Sequence, residues 1–125
     1  VFSLVDLPSL GIKVRDVGTG PHPVFKQAKE NGVSVLVWGK AGAKDGDKDA
    51  DVSMDGFVYD GESDEIVGGK RYVGSSSVVR LMAHRFADEL VFRYTGEPGI
   101  ARTKIAYVSE QGTARELFVM DYDGY

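Results

Sequence analysis

Gly74 to Tyr125, GSSSVVRLMAHRFADELVFRYTGEPGIARTKIAYVSEQGTARELFVMDYDGY, is the stretch on which the fold turns. Ser75, Ser76 and Ser77 offer hydroxyls to cap a helix from about Val78 to Tyr94, and Gly96 stands where a helix end favours a left-handed residue. At 100° per residue, Val79, Ala83, Phe86, Ala87, Leu90 and Tyr94 share one stripe, expected to cover a sheet. Leu81 and Phe92 fall nearly opposite, either as incidental apolar surface or as a docking face for a following domain or a partner. After the turn at Gly96 to Gly99, Thr103 to Ser109 and Glu116 to Asp121 read as two strands joined across Glu110-Gln111-Gly112. Asp121-Tyr122-Asp123-Gly124 is a second tight-turn signal.

Working back from the helix, the sequence supplies what it should pack on. Asp51 to Tyr59 and Glu65 to Tyr72 alternate around the turn Asp60-Gly61-Glu62-Ser63-Asp64, which predicts a β-hairpin. Val33 to Trp38 is a nearly continuous β-branched run, the pattern of a central strand covered on both sides. Pro23 opens a short helix, Val24 to Glu30, that Asn31-Gly32 can close. Lys40 to Asp51 is small and charged, so it predicts an exposed excursion, and Gly18 to Pro21 predicts a loop. Ile12-Lys13-Val14 is a candidate short strand, and Val1 to Leu10 an extended segment or the tail of an element. The expected class is α/β (α+β), a small mixed β-sheet packed by helices. Residues 1–98 form one unit, and 99–125 the linker and opening of another.

Composition narrows the function classes. With 125 residues, 42% hydrophobic and 27% charged, the chain suits one globular domain plus a stub. A net charge of -4 disfavours a nucleic-acid partner, whose phosphates are held mainly by Lys and Arg. No apolar run approaches the roughly 20 residues of a membrane span, so the chain is expected not to be membrane-embedded. It opens on Val1 without a signal-peptide pattern, and a start further upstream is expected. Zero cysteines exclude thiol catalysis and thiolate metal sites.

Chemistry-bearing motifs are weak. Asp45, Asp47, Asp49 and Asp51 alternate, but an EF-hand beginning at Asp45 would need Gly where Ala50 stands and Glu where Gly56 stands, so the run reads as a solvated loop. Gly18-Thr19-Gly20 lacks the later glycine of a dinucleotide fingerprint. Ser75 to Ser77 contains no nucleophile elbow, and neither His22 nor His84 is tied to one. His84 reads as a structural histidine bonded to nearby backbone. Arg80, Arg85, Asp88 and Glu89 can pair at helical spacings. No catalytic residue, cofactor site or metal site is assigned, and no enzyme is expected.

The hairpin with D-x-D-G at its end is how one blade of a repeating β-propeller begins. Together with Arg80 to Leu90, Tyr94 to Val108 and Glu116 to Tyr125, it resembles the TolB family: the last helix of that family's N-terminal domain, its linker and the first strands of its propeller. The combination A-H-x-x-A-D with T-G-x-x-G-x-x-x-T-[KR]-I-A-Y-V joins helix, cap and boundary in one register. Gly69 to Tyr72 and Val33 to Gly39 resemble the same domain more weakly. The resemblance implies a periplasmic, non-enzymatic binding and scaffold part of the Tol-Pal cell-envelope system, active in outer-membrane integrity and in constriction at division. It implies TolA and Pal as partners, although the segments the family uses for them are missing here, so the chain reads as a truncated piece. Leu81, His84, Asp88, Phe92, Gly96 and Gly99 are the candidate domain-junction or interaction residues. Exposed strand edges predict self-association of the piece. The competing reading is a small α/β enzyme or ligand-binding domain with an unrecognised pocket.

Overall fold

The structure is a computed structural model that describes residues 3–11, 13, 23–43 and 51–125. The expectations for Ile12, Val14, the Gly18 to Pro21 loop, His22 and Asp45, Asp47 and Asp49 lie outside the described residues. Leu7–Leu10 forms a 3-10 turn rather than an extended segment. Pro8 fixes φ near the helical value, which favours the turn.

Helix α1 is Pro23–Glu30. Val24, Phe25 and Ala28 are its buried face. It ends in a Schellman arrangement: Val33 N–H reaches the Ala28 carbonyl at 3.0 Å and Gly32 N–H reaches that of Lys29 at 2.9 Å. Gly32 at φ 76 takes the left-handed position. The reversal feeds directly into β1, Val35–Ala43.

β1 pairs antiparallel with β2, Asp51–Asp60, and β2 with β3, Glu65–Ser75. The order is β1-β2-β3, so the central strand is β2 and not the Val33 to Trp38 run. Alternation explains the difference, for Leu36 and Trp38 are buried while Val37 between them is 39% exposed. A β-branched run is compatible with one-sided burial too. β1 also continues through Ala43, into what reads from sequence as an excursion.

Each face of the sheet has its own cover. On one, Phe25 of α1 stacks on Tyr59 with ring centroids 4.5 Å apart and lies 5.2 Å from Trp38, which in turn stacks on Phe57 at 5.4 Å. With Val24, Ala28 and Leu36 these aromatics form the main core. Such side chains contribute about 1.5–3 kcal/mol each on burial.

On the other face lies α2, Val79–Thr95, after a 3-10 turn at Ser76–Val78. Glycines on the sheet let it approach. A Cβ on Gly56 would come within 2.6 Å of the Phe86 ring, and one on Gly74 within 2.8 Å of both Met82 and Val78. Val79, Phe86, Ala87, Leu90 and Tyr94 of the expected stripe are all partly buried, but Ala83 is exposed and the buried residue at that turn is Met82. Close approach therefore comes from the sheet's missing side chains at Gly56 and Gly74.

The helix start also differs from expectation. Neither Ser75 before the 3-10 turn nor Val78 before α2 makes a side-chain cap. Ser75 and Ser77 instead bond each other through their hydroxyls at 2.7 Å. The helix ends as expected at Gly96, φ 73, whose N–H reaches the Phe92 carbonyl.

A second, two-stranded sheet follows, β4 (Lys104–Gln111) with β5 (Ala114–Asp121). Gly112 at φ 65 opens its turn. Tyr107 stacks on Phe118 at 5.5 Å on one side of this hairpin, while Val108, Leu117 and Val119 stand exposed on the other.

Candidate functional site at the contact of α2 with the hairpin

Residues 80, 84 and 88 recur every four positions and so lie along one line of α2, away from Met82 and Phe86. Each of these polar side chains reaches into 99–123. Asp88, 6% exposed, accepts from Ala101 N–H at 2.8 Å and from Arg102 Nε at 2.6 Å. Burial pushes its carboxyl up, but the Arg102 and Ala101 hydrogen bonds and the nearby positive charge outweigh that and hold it below the ordinary value.

Gly99 makes this approach sterically feasible. A Cβ there would overlap the Asp88 carboxylate and Cα. Gly96, by contrast, has open space around it and is required only for its left-handed φ.

One and two turns earlier, His84 and Arg80 meet the turn that closes β5. His84 Nε2 lies 3.0 Å from Asp123 Oδ2. Its partner is a carboxylate, not the backbone group expected from sequence. Arg80 bridges Asp121, through Nη1 at 2.8 Å, and both oxygens of Asp123. Its guanidinium also sits 4.3 Å from the centre of the Tyr125 ring. Lys104 Nζ adds a 2.6 Å contact to Asp121.

The Arg80 hydrogen bonds hold the Asp123 carboxyl down at about 2, with His84 adding to the effect. Lys104 first, and then Arg80, hold Asp121 below its ordinary value. The turn is also tied by backbone, Tyr122 N–H to the Thr103 carbonyl at 3.1 Å and Gly124 N–H to that of Asp121 at 2.9 Å.

Of the candidate residues, the structure brings His84, Asp88 and Gly99 to this contact and sets Gly96 at the helix end. Leu81 (49% exposed) and Phe92 (60% exposed) lie off it. Leu81 instead borders a shallow groove of about 350 Å³ beside β3. Arg80, Arg102, Lys104, Asp121 and Asp123 were missed as participants. Their signal was present in the four-residue spacing of Arg80, His84 and Asp88, polar positions that do not share the sheet stripe. Arg80, Asp88 and Glu89 do not pair with each other along the helix, since Glu89 takes Lys70 of β3.

Nothing in this arrangement resembles a reaction centre. Among the described residues no group of three or more His, Asp or Glu could hold a metal ion. No described helix is long and apolar enough to cross a membrane.

Part of this chain is similar in sequence to proteins named TolB. The "Tol-Pal system protein TolB" of Geobacter sulfurreducens is 36% identical over 74 residues, 59% of this chain and 17% of that protein. The "Protein TolB homolog" of Chlorobium chlorochromatii is 25% identical over 124 residues, 99% of this chain and 27% of that protein. Over part of its length, this chain is homologous to TolB.

The crystal structure of TolB from Acinetobacter baumannii superposes with a TM-score of 0.65 at 20% identity, covering 80% of this chain and 25% of that one, a likeness of fold. The chain thus spans about a sixth to a quarter of the length of the TolB proteins it matches. No family model matches it.

Proposed function

We propose that the chain is a non-enzymatic binding and scaffold portion of a TolB-like protein, working in the periplasm as part of the Tol-Pal system in envelope integrity and in constriction during division. The observation that carries this reading is the homology to proteins named for that system. In this reading residues 1–98 are part of the N-terminal α/β domain, and 99–125 are the linker and the start of the first propeller blade. His84, Asp88 and Gly99 belong to the junction between them, Gly96 ends the helix that leads into it, and Leu81 and Phe92 are interaction candidates outside it. The protein partners would be TolA and Pal, met by the full-length protein.

The test is genetic and biochemical. In the organism that encodes the chain, deletion of its gene should release periplasmic enzymes into the medium and sensitise cells to detergent, and an antibody to the chain should label the periplasmic fraction. The wild-type gene should restore the barrier, and a gene carrying Gly99→Asp should not. An intact barrier after deletion, or a wholly cytoplasmic antigen, would remove the Tol-Pal reading.

A further inference from the structure

We propose that the outer edge of β3, together with the groove between that edge and the first turns of α2, receives an extended acidic segment of another protein as an added strand. Among the described residues β3 pairs with β2 alone, so along 65–75 one side of its backbone presents amide groups with no strand beside them. Such groups are satisfied by water or by another strand.

The groove supplies what a bare edge lacks. Val78, Leu81 and Met82 of the helix side and Tyr72 and Val73 of the strand side line its space of about 350 Å³. Leu81 is 49% exposed, and on the strand side the apolar wall is Tyr72, since Val73 alternates with it and faces the other side of the sheet. An edge strand flanked by a helix with apolar residues between them is the geometry in which peptides bind by strand addition: backbone bonds supply affinity and alternate side chains enter the groove.

Charge decides what kind of segment fits. Edge cations ordinarily block pairing, but both cations of this edge, though exposed, are already paired with carboxylates of the chain itself. Lys70 is bound to the Glu89 carboxylate, and Arg71 holds both oxygens of Asp55, at 2.6 and 2.8 Å. Arg85, which also lines the groove, has no ion pair among the described residues. A carboxylate on the incoming strand would complete it, with geometry a guanidinium favours. This inference is independent of the Tol-Pal reading.

The probe is a fluorescein-labelled octapeptide alternating valine and threonine with glutamate near each end, titrated into the 125-residue chain and followed by anisotropy. Binding is expected, with amide-exchange protection gained along 66–74. It should fall at least tenfold for Arg85→Glu and for Leu81→Asp, both surface changes whose folding circular dichroism would verify. It should also fall for the peptide methylated on alternate backbone nitrogens, a control that leaves the protein untouched. Absence of binding, equal binding of a lysine version, or indifference to backbone methylation would each overturn the proposal. Protection of 66–74 that grows with protein concentration in the absence of peptide would overturn it as well, assigning the edge to a second copy.

Discussion

Gly96 and Gly99 lie three residues apart and are glycine for different reasons. Gly96→Ala meets only the left-handed backbone and should cost about 1 kcal/mol. Gly99→Ala must displace Asp88 from its buried contact and should cost more, about 2–3 kcal/mol, in the range of overpacking a tight site. Urea denaturation of the two variants tests the order. Asp88→Ala leaves the Ala101 N–H without its acceptor and Arg102 without its anion, for an expected loss of about 1–3 kcal/mol. Asp88→Asn, which keeps one acceptor, should lose less.

The carboxyls of Asp88, Asp121 and Asp123 are all depressed in the folded state. Their contribution is therefore fully present above the unfolded carboxyl value near 4 and is lost as pH falls toward the folded values, about 2 for Asp123. Amide exchange in 100–123 should accelerate between pH 4 and pH 2 beyond the intrinsic pH effect. Asp88→Asn should flatten part of that dependence.

At the scale of elements, α2 meets the sheet through absent side chains. Gly56→Ala should destabilise by about 1–3 kcal/mol. Much of that cost should vanish when Phe86→Leu is added, because the two changes share one volume; a double-mutant cycle read by thermal unfolding gives the coupling. Strictly additive effects would mean that Phe86 is not what fills the space above Gly56.

How far sequence reveals such an element depends on whether its determinants are local. The Gly96 end of α2, the turn at Asp60 to Asp64 and the short helix closed by Gly32 were legible because each is settled by a few adjacent residues and their allowed φ. Most of the sheet-facing stripe was legible, Phe86 included, but the burial of Met82 in place of Ala83 was not, since that position is selected by Gly74, eight residues away along the chain. The order of the strands was misread for a related reason, as a β-branched run reports strand propensity but not which neighbours flank it. Arg80 looked like a partner for its own helix, and only the return of the chain at Asp121 to Asp123 gives it better ones.

At the scale of the molecule, most of the apolar burial lies around the α1 side of the sheet, whereas β4 and β5 expose Val108, Leu117 and Val119. Two strands by themselves are marginal in water. A synthetic peptide covering 104–121 should therefore show little strand signal by circular dichroism, while in the 125-residue chain the same amides are protected, though less than those of β2. Equal protection of both sheets would contradict this ranking.

The eight positions from Arg80 to Asp88 correspond to about 12 Å along the axis of α2. A rod fastened to a plate at a single spot can swivel about it; fastened at two separated spots, it cannot. The helix and hairpin are thereby fixed in twist as well as in distance, and loosening either end alone would leave them joined yet free to rotate. Torque applied to the hairpin would then be passed through α2 to the three-stranded sheet only while both ends hold.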